Sequence, residues 1–301
     1  ERFGSVVLRR PDPQALWKPR YEESVWKNAK GSYIREVTGS VGIGAGAGSW
    51  RQSSNMPTNW NMSWGGLEFI IKPTAFKHTG IFPEHALNWQ WIREVIAVEF
   101  NKEDAGVGQV SGGGMGMVGG LSAGESLKKE INVLNLFAYT GGATLAAAQA
   151  GAKVVHVDSS KSAVAWAREN AKASGLEDKP VRWIVDDARE FVKKELKRGH
   201  TYEGIIMDPP AFGHGPEKEL WKIEEQLTEL FSLAFKVLSL DPLFFLVNGY
   251  SSGYSVTTYK NNLLPLVKRY GGSIETGELV IPCTSNPDKK LPAGIVARWS
   301  K

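Results

Sequence analysis

Four short stretches combine acidic, glycine and proline residues in patterns suited to holding a nucleoside and a flat, amine-bearing group. The first, Asn135-Leu136-Phe137-Ala138-Tyr139-Thr140-Gly141-Gly142-Ala143, closes an apolar run on paired glycines. Such a pair lets the backbone turn sharply and approach a ligand, and a helix starting there aims free amides at it. The pair is also compatible with an ordinary strand–helix turn, and the dinucleotide fingerprint Gly-x-Gly-x-x-Gly is not met. The second stretch ends Val157-Asp158-Ser159, and an acid at this position can accept from both hydroxyls of a ribose or cap the next helix. In the third, Asp186-Asp187-Ala188, one carboxylate is expected to accept from an adenine amino group and the other to cap a helix; Asp187 is favoured for the adenine. The fourth, Met207-Asp208-Pro209-Pro210-Ala211-Phe212, is the most informative. Its prolines stiffen an extended turn and remove two amide donors, leaving carbonyls and the Asp208 carboxylate as acceptors beside the flat face of Phe212. Such a cradle suits a planar group bearing N–H.

These stretches need a scaffold that brings them to one place. From Ile131 onward, apolar runs and helical patterns alternate: strands at Ile131–Phe137, Lys153–Asp158, Val181–Asp186, Tyr202–Asp208 and Leu243–Val247 are followed by helices at Ala143–Ala150, Lys161–Ala173, Ala188–Lys197, Lys218–Leu238 and Val256–Tyr270. This alternation predicts an α/β fold: a doubly wound, mostly parallel sheet covered on both faces. Ligands of such sheets bind at the carboxyl ends of the strands, where all four stretches fall. Ser273–Ile281 and Ala293–Trp299 read as an antiparallel closing pair joined by a loop containing Asn286-Pro287. The first 75 residues instead alternate short β-like runs, Ser5–Leu8, Tyr33–Val37 and Leu67–Ile71, with turn residues, and carry Trp17, Trp26, Trp50, Trp60 and Trp64. They predict a small β-rich domain over 1–75, whose indoles form its core and rim or a stacking platform for unpaired bases. Residues 76–301 form the second predicted domain. Within it the Gly-rich segment 104–126, centred on Ser111-Gly112-Gly113-Gly114-Met115-Gly116, reads as an exposed excursion and lacks the Gly-Lys-Ser/Thr of a phosphate loop.

Of 301 residues, 42% are hydrophobic and 23% charged, an ordinary globular composition. The single cysteine, Cys283, excludes an internal disulfide and any cysteine cluster for zinc. No apolar run reaches the ~20 residues of a membrane helix, and the amino end shows no signal segment. A reducing, cytoplasmic setting is the expectation, and the opening Glu1 without Met suggests a trimmed chain. The net charge of +4 permits nucleic acid as a partner without requiring it.

The stretch Val133–Phe212 resembles the class I S-adenosylmethionine-dependent methyltransferases, and its Asp-Pro-Pro-x-Phe form resembles the branch acting on large-subunit (23S) ribosomal RNA. Glu1-Arg2-Phe3-Gly4, Arg10–Trp17, Lys72-Pro73-Thr74-Ala75-Phe76 and Leu291-Pro292-Ala293-Gly294 read like a bacterial subgroup of that branch, so the likeness covers nearly the whole chain. It implies a seven-stranded methyltransferase sheet, S-adenosylmethionine as cofactor and an RNA substrate; no metal site is expected. It also adds Thr79, Gly80, Phe82 and Glu84, since Thr79–Asn88 resembles the Thr-Gly-x-Phe-x-Asp-Gln segment that packs over the cofactor in the family. His85 stands where the family usually has Gln. The cofactor set is then Thr79, Gly80, Phe82, Glu84, Asn135, Phe137, Tyr139, Thr140, Gly141, Asp158, Ser159, Asp187 and Ala188. Asp208, Pro209, Pro210 and Phe212 would hold the acceptor.

The implied reaction is an in-line attack on the methyl of a sulfonium, for which alignment and exclusion of water are the main requirements. For an exocyclic amine, Asp208 and the Pro209 carbonyl would take the two N–H hydrogens. Attack by a pyrimidine carbon five needs a thiolate added at carbon six. Relatives doing that carry a Cys in the loop after the fifth strand, whereas here the loop reads Asn248-Gly249-Tyr250-Ser251-Ser252-Gly253. The sequence therefore favours a base nitrogen over cytosine carbon five or a non-RNA acceptor. From other classes, a nicotinamide-dependent dehydrogenase is opposed by the missing third glycine and the Asp-Pro-Pro turn, and a non-catalytic RNA-binding module by the intact Asp158 and Asp208.

Overall fold

Residues alternate between two buried faces along the central strands, so both faces must be covered. A computed structural model of the chain shows how. It describes residues 1–35, 48–75, 77–106, 129–216, 220–250 and 253–301, the side chains of 103–106 excepted.

The amino-terminal part contains β1 (Arg2–Phe3), β2 (Val6–Arg9), the short helix α1 (Glu23–Lys27), β3 (Gly31–Arg35) and β4 (Gly48–Gln52), which form a four-stranded sheet in that strand order. A hairpin follows, β5 (Trp60–Trp64) and β6 (Leu67–Ile71). Its turn is Gly65-Gly66, both at positive φ (56° and 77°), as a tight two-residue hairpin loop demands. A 3-10 turn at Pro83–His85 leads into α2 (Ala86–Gly106).

The remainder is β7 (Asn132–Leu136), α3 (Gly142–Gln149), β8 (Lys153–Asp158), α4 (Lys161–Ala173), β9 (Val181–Val185), α5 (Ala188–Arg198), β10 (Gly204–Met207), a small hairpin of β11 (Phe212–His214) and β12 (Leu220–Lys222), α6 (Ile223–Lys236), β13 (Phe244–Gly249), α7 (Val256–Tyr270), β14 (Ser273–Cys283) and β15 (Asn286–Ser300). Seven strands form one sheet in the order β14-β15-β13-β10-β7-β8-β9; β15 is antiparallel to both neighbours and the rest are parallel. Leu134, Leu136, Ile205, Met207, Phe245 and Val247 face a core made with α5, α6 and α7. Val133, Val154, Ile206, Phe244 and Leu246 face the other way, against α2 and α3. The strand order reverses between β7 and β10, the two strands that carry the glycine turn and Asp208.

The expected seven-stranded, mostly parallel sheet with a β-rich amino-terminal part is what forms. Several details differ. Helix α2 is absent from the pattern read above, and it takes in residues 104–106 of the expected Gly-rich loop. The rest of that loop, 107–126, lies outside the described residues, as do Glu36 and Val37. The expected helix Lys218–Leu238 gives up its start: Leu220–Lys222 pairs as β12 with Phe212–His214, and helix begins at Ile223. Asn286-Pro287 does not sit in a loop; β14 and β15 run to Cys283 and from Asn286, leaving a two-residue turn. The edge position of β14 explains why Pro282 is tolerated there, since it meets only one neighbour.

The indoles of the amino-terminal part serve mainly as core. Trp60 is buried and donates through Nε1 to Phe3 O at 2.8 Å. Phe69 stacks on Trp89 with ring centroids 5.2 Å apart. The cluster they belong to continues into Leu145 of α3 and Ala171 of α4. The free edge of β6 is satisfied by side chains of α4 and its C-cap: Ile70 N donates to Asn170 Oδ1 (2.9 Å), Glu68 N to Ser174 Oγ of the cap (2.9 Å), and Ile70 O accepts from Trp166 Nε1 (2.8 Å). Trp17 and Trp26 stay outside this core.

A polar group lies in the α3 face of the sheet. Asn135 Nδ2 donates to Thr144 Oγ1 (2.9 Å), which lies 2.9 Å from His156 Nδ1. Thr144 thus donates to Nδ1, leaving the His156 proton on Nε2, which is buried with no partner. Burial first, then the charge of Arg168, lowers the His156 pKa to about 3 from an ordinary 6.5. Unfolding therefore takes up a proton between these values, and stability falls as the pH drops through that window. Chemical denaturation of the parent at pH 7.5 and pH 4.5 should differ from that of His156→Gln by roughly 2 kcal/mol more loss in the parent. Equal losses would show that His156 takes up its proton no differently in the folded and unfolded states.

Candidate active site at the carboxyl ends of the strands

The turn after β7 is held in an unusual backbone. Phe137 (φ 56°) and Tyr139 (φ 47°) are non-glycine residues in the left-handed region, at a cost of about 1–3 kcal/mol each. Gly141 (φ 90°) continues it, and a side chain there would press on Ala167 as well. Asp158 secures the turn: its Oδ2 accepts from Tyr139 N and its Oδ1 from Ser160 N, both at 2.8 Å. A carboxylate has about four acceptor positions, so two remain for a ligand. Burial raises the Asp158 pKa against the pull of these amides, and the charge of Asp208 adds to the rise. Burial and the Asp158 charge push the Tyr139 phenol up to about 12.

Asp187 lies at the end of β9. Its Oδ1 caps α5, accepting from Arg189 N (2.9 Å) and Glu190 N (3.1 Å). Asp186, considered for that cap, instead accepts from Lys194 Nζ at 2.6 Å. Capping thus falls on the residue favoured for an adenine, and both cap bonds use a single oxygen of it. Asp158, Ser159, Asp187, Ala188, Phe137 and Pro210 line one cleft together with Trp221 and residues 213–215. Ser159 Oγ donates to His214 O (3.2 Å), tying the β11–β12 hairpin to the rim.

Asp208 follows β10. Its Oδ1 is buried with no hydrogen-bond partner, and its Oδ2 lies 3.5 Å from His85 Nε2. The Pro210 carbonyl is already engaged, accepting from Trp221 Nε1 at 2.6 Å. The acceptor cradle read from sequence is therefore narrower, since Trp221 returns a donor to it. Phe212 is 57% exposed, edge-on to His214 at 5.3 Å. It is not among the residues that line the cleft.

The Thr79–His85 segment covers the turn from the other side. Gly80 (φ 90°) faces Trp166 so closely that a side chain would overlap the indole, and Gly80 O accepts from Thr140 Oγ1 at 2.6 Å. Thr79 Oγ1 is buried without a partner. Phe82 packs on Tyr139 (5.4 Å). Glu84 is buried, which raises its pKa against the opposing effect of His85. Asn135 is not at the cleft surface; it is buried on Thr144 beneath the turn.

Sequence reasoning left out the network behind Asp208. His85 Nε2 hydrogen-bonds the Tyr250 hydroxyl and also lies 3.5 Å from Asp208 Oδ2. Burial of that hydroxyl, with the charges of Asp208 and Glu84, raises the Tyr250 phenol well above its ordinary value. Asn88 Nδ2 donates to Asn248 Oδ1 (2.9 Å), and Arg298 donates to Asn88 Oδ1 (2.6 Å from Nη2). The available signal was the departure of His85 from the family's Gln. Only the fold brings Tyr250 and Arg298, 165 and 213 positions later, into contact with its surroundings.

A family model described as S-adenosylmethionine-dependent methyltransferase matches residues 97–233. A solved S-adenosylmethionine-dependent methyltransferase from Agrobacterium tumefaciens is 32% identical, with a TM-score of 0.81, and the match covers 99% of this chain and 86% of that one. The ribosomal RNA large subunit methyltransferase K/L of Shewanella frigidimarina is 37% identical over 110 residues, 36% of this chain and 15% of that protein. The ribosomal RNA large subunit methyltransferase I of Aeromonas salmonicida is 34% identical over 108 residues, 36% of this chain and 27% of that protein. The chain thus matches no more than about a quarter of these two relatives' length. No helix among the described residues is long and apolar enough to cross a membrane. The full-length likeness, the family match and the sheet together identify the chain as a member of the S-adenosylmethionine-dependent methyltransferases.

Proposed function

We propose that this methyltransferase acts on a base of RNA, ribosomal RNA in the first place, and transfers the methyl to a base nitrogen. The observation that carries the reading is the Asp208 Oδ1, a buried acceptor with no donor beside the Pro209-Pro210 turn. A buried unpaired carboxylate oxygen is costly unless a ligand donates to it, and an exocyclic amine brings the N–H groups to do so. The names of the two ribosomal RNA relatives support the substrate class.

In this reading the cofactor lies along the ends of β7, β8 and β9. Asp158 takes the ribose hydroxyls with its two remaining acceptor positions, and Asp187 and Ala188 meet the adenine. The glycine turn and Thr79–Glu84 enclose the methionine part, with the orphaned Thr79 hydroxyl as a partner. Asp208 and Pro209 orient the amine so that its lone pair points at the methyl, and Phe212 stacks on the base. When bound, the cofactor supplies a methyl on a sulfonium. After transfer the nitrogen carries an extra proton, which leaves toward Asp208. His85, itself held by the Tyr250 hydroxyl, faces Asp208 Oδ2 and leaves Oδ1 free for the acceptor. Residues 1–75 form a small substrate-facing unit on the methyltransferase domain of 76–301.

Carbon-five chemistry has less support. Among the described residues the one thiol, Cys283, ends β14 beside the turn, 3.3 Å from Ser285 Oγ, and hydrogen bonds from Ser285 lower its pKa. The long loop that would let it fold over the site is replaced by paired strands.

Undermethylated ribosomal RNA incubated with labelled cofactor, followed by mass identification of the modified nucleoside, tests the substrate and atom together. A product methylated on carbon, or no labelled RNA, would overturn the proposal. Asp158→Ala should weaken S-adenosylmethionine binding at least about tenfold, since charge-assisted hydrogen bonds contribute roughly 1.5–3 kcal/mol. Calorimetry showing unchanged affinity would remove Asp158 from the cofactor site. Asp208→Ala should keep cofactor affinity within about twofold and reduce kcat by about 100-fold or more; parallel loss of both would contradict the division of labour. Cys283→Ser should keep most of the activity, and 5-fluorocytosine RNA should form no adduct with the parent. An adduct together with an inactive variant would favour carbon five.

A further inference from the structure

The last pair of strands outgrows the sheet. β13 ends at Gly249, which pairs with Ile295 of β15. Beyond that point β14 and β15 continue only with each other, from Leu279–Gly294 out to Cys283–Asn286. This two-stranded ribbon projects past the carboxyl ends of the parallel strands, the edge that carries Asp158 and Asp208. Its root touches the site, because Gly294 lies against the Tyr250 ring and β14 packs beside the Pro83–His85 turn.

The chain before α1 hooks onto the ribbon's tip. Arg20 Nη1 donates to Ser285 O (3.0 Å) and Oγ (2.9 Å), and the Tyr21 hydroxyl donates to Ser285 Oγ (3.3 Å). Lys289 Nζ lies 5.9 Å over the Trp17 ring, and the Arg20 guanidinium 5.7 Å over Tyr21. Trp17 and Tyr21 remain 44% and 47% exposed. Their rings are therefore not buried as core, and cations already sit on them. Lys18, Arg20, Lys27, Lys289 and Lys290 make no ion pair among the described residues, whereas Arg9 nearby is paired with Glu23 at 3.7 Å. The acids of the same surface are Glu22, Glu23 and Asp288. Flat rings alternating with uncompensated cations suit unpaired bases on a phosphate backbone, which stack and neutralise charge at once. A duplex hides its base faces, and an apolar protein partner would leave the cations desolvated and unpaired.

We propose that this surface, residues 16–27 with the ribbon tip, is a docking site for single-stranded RNA that leads the strand to the Asp208 edge. The proposal rests on the RNA reading above and adds the form of the substrate and where it is gripped outside the catalytic cleft.

The full chain should be titrated against a fluorescein-labelled unstructured 20-nucleotide RNA and a duplex of equal length, by anisotropy at several salt concentrations. The single strand should bind more tightly than the duplex. Lys289→Gln/Lys290→Gln should weaken single-strand binding about tenfold at low salt and reduce the log–log salt slope by about 1.4, about 0.7 per lost charge. Trp17→Ala/Tyr21→Ala should weaken it about fivefold with little change in slope. Lys179→Gln/Lys197→Gln, on the opposite edge of the sheet, should bind like the parent, and all variants should keep the parent's S-adenosylmethionine affinity. If the parent binds and methylates RNA but the surface variants match it, the docking site is wrong while the RNA reading stands. Equal affinity for the duplex overturns the single-strand assignment. A parent that neither binds nor methylates RNA overturns both.

Discussion

Asp158 ends β8 with one carboxylate oxygen on Tyr139 N and the other on Ser160 N. Those two bonds join the turn after β7 to the turn after β8, the two loops between which the sheet presents its ligand-facing edge. The first turn contains two non-glycine residues in the left-handed region, Phe137 and Tyr139. It persists because its amides are tied to a buried charge and because Ala138 N reaches Val157 O at 3.0 Å. The same carboxylate is costly to bury, as its raised pKa reflects. A ligand with hydroxyl donors would relieve that cost. The lone pairs of Asp158 that the two turns do not take are the ones the proposed ribose contact would use.

The amino-terminal strands are part of the same arrangement. Asn170 of α4 accepts from Ile70 N through Oδ1 and donates to Thr140 O through Nδ2, both at 2.9 Å. One amide thus spans from the β5–β6 hairpin to the glycine turn. Trp166 bonds Ile70 O and at the same time closes against Gly80, where no larger residue fits. The Thr79–His85 segment is consequently held between α4 and the turn. His85 is thereby placed to meet Asp208 and Tyr250.

The edge beyond the strands is assembled from distant parts of the chain. Tyr250 follows β13, His85 precedes α2, and Gly294 lies in β15, yet His85 and Gly294 both meet the Tyr250 side chain. The antiparallel placement of β15 makes this meeting occur, since it returns Gly294 to the carboxyl end of β13. The ribbon that continues outward has the same origin: two edge strands longer than the partner they cover.

The alternation of apolar runs and helices after Ile131 was enough to determine the parallel sheet, because a strand buried on both faces leaves no other pattern. Strand ends marked by Asp158, Asp187 and Asp208 followed from it, since local sequence decides where a strand stops. The motif likeness added Thr79–Glu84, which periodicity alone does not mark. What the sequence could not decide was pairing across distance. Trp221 takes the Pro210 carbonyl because Leu220–Lys222 folds back as a strand instead of opening a helix. Cys283 is carried away from the site by paired strands where composition suggested a loop. In each case the local preference was weak, and tertiary contacts with larger free energies chose between near-equal alternatives.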